Sequence, residues 1–136
     1  MEVDEVLLNY RKQQEGFIEP SFPTIAGADA HGAIIHYRAT DTTSNKIDSN
    51  TMLLVDSGAQ FDCGTTDVTR TVHFGKPTAT QKNAFTRVLK GHIALDTATF
   101  PEKTPGFVLD ILARQFLWKN GLGEYLYRLT YLHKVE

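Results

Sequence analysis

The chain has 136 residues, 41% of them apolar and 22% charged, with a formal net charge of −2, which suits one globular domain with a buried core, or part of one. That charge, with no basic cluster longer than Arg11-Lys12, removes the electrostatic case for nucleic acid or an anionic membrane as partner. The acidic first residues, the lack of any apolar run of signal or transmembrane length and a lone cysteine, Cys63, set the expectation of a cytoplasmic, reducing setting.

Residues 3–15 place Val3, Val6, Leu7 and Tyr10 at helical spacing among charged positions, with Gly16 as the stop, and this predicts an amphipathic helix. Pro20 and Pro23 in the following stretch, residues 17–25, exclude a central strand and predict an extended edge segment. Gly27 to Gly32 reads as a turn, and residues 33–38 (Ala-Ile-Ile-His-Tyr-Arg) as a short strand. After the polar loop Asp41 to Thr51, two β-prone runs, Met52 to Val55 and Val68 to His73, flank a Gly- and Asp-containing segment that suits a hairpin loop. From Thr80, taken as N-cap, the period becomes helical, with Phe85, Val88, Leu89, His92 and Ile93 on one face. A further helix starts with Thr104 as N-cap and Pro105 at its first position, runs through Val108, Ile111, Leu112 and Phe116, and ends near Asn120-Gly121. The sum is an α+β fold, an antiparallel sheet covered by helices.

Asp56 and Asp67 are the most informative pair. If the hairpin folds symmetrically about residues 61 and 62, they face each other, and directly opposed like charges ~4.5–5.5 Å apart at Cβ are destabilising. A divalent cation between them would relieve that repulsion, since such ions take carboxylate oxygens at roughly 2.0–2.6 Å. Solvated carboxylates at a hairpin end are the competing reading. Asp62 falls at the turn and reads as a solvated turn residue, and Cys63 has no nearby histidine to activate it. His73 and His92 read as boundary or core residues. Thr66 and Thr69 are either ordinary strand threonines or hydrogen-bonding support for the carboxylates.

The runs Leu54-Val55-Asp56-Ser57-Gly58-Ala59-Gln60 and Gly64-Thr65-Thr66-Asp67-Val68-Thr69-Arg70-Thr71-Val72-His73-Phe74-Gly75 closely resemble the metal-binding hairpin of the Xaa-Pro aminopeptidases, in the aminopeptidase P group. Ser21-Phe22-Pro23-Thr24-Ile25, Gly32 to Tyr37 and Phe85 to Leu95 look like the same family, so the similarity covers roughly residues 2 to 122. The resemblance implies a creatinase-type pita-bread fold, a curved antiparallel sheet backed by helices that holds two divalent metals, usually manganese. By that analogy Asp56 binds one metal and Asp67 bridges both, and a bridging water attacks the peptide bond preceding proline in a peptide with proline at its second position. His36 matches a family histidine near the substrate; a strand histidine packed on the sheet is the alternative.

The family completes its site with a histidine in a Gly-His-Gly-Thr-Gly-His-Gly type segment and two later glutamates, and the sequence after Leu122 does not match that pattern. His133 and Glu136 are spaced to share a helical face but lie at the chain terminus. The expected organisation is residues 1–122 as the front half of a pita-bread catalytic domain, truncated, and residues 123–136 as a divergent tail. Two expectations follow. One is a metal-dependent aminopeptidase; the other is a noncatalytic half-domain that associates with itself, as a homo-oligomer, or with a full-length relative through an uncovered sheet face.

Overall fold

The computed structural model describes residues 2–123, which fall into two compact units divided between Lys76 and Pro77. The divergent tail, apart from Gly123, and with it His133 and Glu136, lies outside the described residues.

The first unit begins with helix α1 (Glu2–Lys12), acidic in its first turn and basic in its last, which complements the helix dipole at both ends. It ends three residues short of the expected helix end at residue 15, in turns closed by Gln14 N–H donating to the Arg11 carbonyl (2.9 Å) and Phe17 N–H to that of Gln14 (3.4 Å). A four-stranded antiparallel sheet follows, built around β3 (Met52–Phe61). Strand β4 (Gly64–His73) pairs with β3 along its whole length, while β1 (Phe17–Pro20) and β2 (Ile25–Ala28) pair end to end with successive stretches of its other edge. Pro20 ends β1 and Pro23 lies between the strands, positions where a missing N–H costs no central ladder bond.

Two sequence expectations need correction in this unit. The strand expected over residues 33–38 does not form. The chain makes a 3₁₀ turn (Asp29–Ala33) and then a second turn in which Ile34 N–H donates to the His31 carbonyl (3.1 Å) and Tyr37 N–H to that of Ile34 (3.3 Å). His36 sits in that turn with φ of 53°, outside the β region. The anchor is Tyr37, 7% exposed, whose ring stacks on His31 with centroids 4.5 Å apart and whose hydroxyl donates to the Thr43 carbonyl (2.8 Å). A strand needs a ladder partner, and here local turn bonds take up the backbone groups instead.

The hairpin register is the second correction. Phe61 pairs with Gly64, leaving Asp62-Cys63 as a two-residue loop, so Asp56 faces Thr69 and Asp67 faces Gly58. The turn falls one residue later than symmetry about 61 and 62 predicts because Phe61 is held in the sheet. Its ring packs edge-on against Phe17 (centroids 6.0 Å), its backbone pairs with Phe17, and Asp62 N–H donates to the Gly16 carbonyl (2.9 Å).

The second unit is a helical hairpin, α2 (Ala79–Asp96) and α3 (Gly106–Trp118). The N-cap of α2 is Thr78 rather than Thr80, in a capping box: Gln81 N–H donates to the Thr78 hydroxyl and Thr78 N–H to the Gln81 side chain. Reciprocal satisfaction of two orphan donors selects that residue. The N-cap of α3 is Pro105 and not Thr104, whose hydroxyl donates to the Pro101 carbonyl. The helices bury Val88 and Gly91 against Ala113 and Leu117. The expected α2 face therefore splits: Val88 is core, whereas Phe85, Leu89 and Ile93 are exposed.

Candidate metal centre

Period-two alternation divides the sheet into two chemically distinct faces. One carries Leu53, Val55 and Ser57 of β3 with Val68, Arg70 and Val72 of β4. Helix α1 lies on this side. Arg11 donates to the Ser57 hydroxyl (2.8 Å), and a cavity of 1170 Å³ is lined by Val6, Leu7 and Arg11 together with these strand residues. The cavity is mainly apolar and contains neither Asp56 nor Asp67. It is on the wrong face for carboxylate chemistry.

The other face carries the carboxylates. A row across three strands runs Ile25, Asp56, Thr69, all buried at 6%, 6% and 5% exposure. The next row pairs Gly58 with Asp67, which is exposed. A register two residues from the expected one preserves the face, because side chains alternate with period two. Asp56 and Asp67 are thus diagonal neighbours, roughly 7–8 Å apart by ladder geometry. At that separation two carboxylates can flank one cation or reach two adjacent ones, given metal–oxygen distances of about 2.0–2.6 Å. Their repulsion is weaker than in the directly opposed arrangement.

Gly58 opens the space beside Asp67. A Cβ there would lie 1.9 Å from the Thr66 carbonyl oxygen and 2.4 Å from the Ser21 hydroxyl, so any side chain would break the ladder at the row that holds Asp67. Ser21 donates to the Thr66 carbonyl (3.0 Å) and fixes the β1–β2 connection over this point.

The remaining residues singled out from sequence sort by position. Thr66 faces Ala59 on the opposite face, and its hydroxyl accepts from Ala59 N–H (3.0 Å), so it does not support the carboxylates. Thr69 is on their face, with its Oγ1 buried and without a hydrogen-bond partner. Asp62 and Cys63 form the exposed loop. The His73 imidazole Nδ1 accepts from Gly75 N–H (3.0 Å) and closes the turn after β4, while His92 is on α2 in the other unit. His36 is exposed in its turn, outside the sheet that carries the aspartates. The Arg11–Ser57 tie was not anticipated; Arg11 in the last turn of a helix gives no sequence signal of its distant partner.

As a donor set the site is partial. Hard carboxylate oxygens on one face suit a divalent cation, but among the described residues no three His, Cys, Asp or Glu side chains come together to hold one. Asp56 and Asp67 fit a metal as two members of a larger set.

Comparison with known proteins gives these two residues their context. The profile of metallopeptidase family M24 matches residues 1–135. Aminopeptidase P2 of Arabidopsis thaliana is 56% identical over 122 residues, covering 90% of this chain and 17% of its own. The probable Xaa-Pro aminopeptidase P of Sordaria macrospora is also 56% identical, over 90% of this chain and 20% of its own. The chain therefore spans about a fifth of the length of these curated relatives. Among solved structures, the X-prolyl aminopeptidase of Caenorhabditis elegans, described as a cytosolic enzyme with a di-nuclear active site, superposes with a TM-score of 0.79 at 37% identity, over 96% of this chain and 23% of that one. The prolidase of Pyrococcus furiosus gives 0.74 at 28% identity, over 88% and 34%. With the profile matching nearly the whole sequence and the fold shared with these solved structures, this chain belongs to metallopeptidase family M24 and carries part of its pita-bread fold.

Proposed function

We propose that this chain carries the aspartate half of a dinuclear Xaa-Pro aminopeptidase site, with Asp56 binding one metal and Asp67 bridging two. The supporting observation is their placement on one face of the β3–β4 hairpin, one diagonal step apart, with Asp56 buried. Asp56 and Asp67 would hold a divalent pair, read as manganese, whose chemistry when bound would be to activate a water and polarise the scissile carbonyl. The chain's own contribution is to hold two anionic oxygen donors on a rigid ladder and to exclude water around Asp56. His36, on its exposed turn, is assigned to substrate contact. The substrate is a peptide with proline at its second position, cleaved after the first residue. Residues 1–122 form the front portion of the catalytic domain, 123–136 a divergent tail, and the setting is cytoplasmic, in keeping with the description of the nematode enzyme. Among the described residues no helix is long and apolar enough to cross a membrane.

Two carboxylates do not complete a dinuclear donor set, and this favours a second reading in which the chain acts by association rather than catalysis. Additional ligands must come from outside residues 2–123 if it hydrolyses peptides. The deciding experiment measures bound metal by mass spectrometry and hydrolysis of an Xaa-Pro peptide in manganese. Metal with hydrolysis establishes the peptidase; metal without hydrolysis supports the noncatalytic reading; no bound metal overturns the proposal for Asp56 and Asp67.

A further inference from the structure

We infer that Thr69 is a positioning residue of the metal site, its hydroxyl held to donate to an oxygen of the metal-bound carboxylates. The inference rests on the metal reading of Asp56 and Asp67 given above. Thr69 stands directly opposite Asp56 in the ladder and two residues from Asp67 on the same strand and face. It is 5% exposed, and its Oγ1 has no hydrogen-bond partner. Neighbouring threonines of β4 differ in this respect: Thr65 donates to the Gln60 side chain (2.5 Å), and the Thr66 hydroxyl is bonded to Ala59. A buried hydroxyl without a partner is unfavourable, and valine would fill the same volume on a strand without that penalty. Threonine at this point makes sense if the partner arrives with a ligand. Among the described residues, the anionic side chains in this row and the next on its face are Asp56 and Asp67, so the ligand that brings an oxygen within reach is the cation that draws those carboxylates together. Groups that orient metal-bound carboxylates by hydrogen bonding commonly govern affinity as strongly as ten- to a hundredfold.

The test uses the chain with Mn(II) or Co(II) alone, read by titration calorimetry, by the visible spectrum of bound Co(II) and by thermal unfolding without metal. Thr69→Val should bind metal at least ~10-fold more weakly and shift the Co(II) spectrum, while the metal-free chain melts at the same temperature or higher, because the unsatisfied hydroxyl is gone. Thr69→Ser should retain the parent affinity. Equal affinity of Thr69→Val and parent overturns the inference and leaves the metal reading standing. A Thr69→Val chain that loses metal-free stability along with affinity also overturns it, since that is the signature of a packing role. If the parent binds neither metal, the metal reading fails and the inference with it.

Discussion

Asp56 stands directly opposite Thr69 in the β3–β4 ladder, with Asp67 one diagonal step away on the same face. Asp56 is 6% exposed on a sheet face that also carries Asp67, and a divalent cation bound there would be held by oxygens of both carboxylates. Metal binding and folding are therefore expected to be linked. Manganese at ~100 times its dissociation constant should raise the unfolding free energy by about 2.7 kcal/mol. Asp56→Asn should abolish that increase. Chemical denaturation with and without metal measures it, and an undiminished manganese effect in the asparagine variant would remove Asp56 from the site.

Gly58 is the second point at which sequence and site are tied. The gap to the Thr66 carbonyl oxygen that a Cβ would meet, 1.9 Å, is a contact with backbone, which cannot rotate away. Gly58→Ala should cost about 3 kcal/mol, at the upper end of overpacking penalties. Loss of metal binding should accompany it, because the strained pair is the one that sets Asp67. Urea unfolding together with a metal titration reads the two effects; a variant of parental stability would show that the ladder can open here at little cost.

How far the sequence went is clearest at this hairpin. The two β-prone runs and the sharing of one face by Asp56 and Asp67 were legible, since a period of two survives an even error in register; the segment between the runs, expected as loop, instead extends both strands and leaves only Asp62-Cys63 unpaired. The register itself was not legible, because it depends on Phe61 pairing with Phe17, more than forty residues away. His36 shows the opposite failure. Ile34 and Ile35 have strong strand propensity, but propensity describes fit to a sheet surface, and local turns around a buried Tyr37 took that segment instead. Thr78 displaced Thr80 as cap because only Thr78 has glutamine three residues on.

Helix α1 depends on a contact that no helical pattern reveals. It has eleven residues and buries none of them fully, and helices of that length are marginal without tertiary support. The Arg11–Ser57 hydrogen bond, 2.8 Å to a hydroxyl only 4% exposed, supplies such support next to Asp56 in sequence. Arg11→Ala should remove about 1.5 kcal/mol, the value of a hydrogen bond with one charged partner. By hydrogen exchange the amides of α1 should lose protection while those of β3 keep theirs. Equal loss in both elements would mean that α1 and the sheet unfold as one unit.

The helical hairpin separates the contribution of a cap from that of a core. Leu117 is 1% exposed and packs with Val88 and Ala113, so Leu117→Ala should cost about 2–5 kcal/mol through lost contacts and the cavity left behind. Thr78→Ala removes an acceptor at the exposed start of α2 and should cost about 1 kcal/mol. Gly91→Ala tests the crossing of the two helices, where a Cβ would meet the Ala113 carbonyl oxygen at 2.1 Å. Because that neighbour is backbone, the helices must move apart, and the gain in helix propensity from alanine, about 1 kcal/mol, should be outweighed. The order of stabilities is accordingly parent above Thr78→Ala above both core variants, measured by thermal unfolding. A Gly91→Ala chain more stable than the parent would show that propensity prevails and that α2 and α3 can separate without losing the Val88–Leu117 contact.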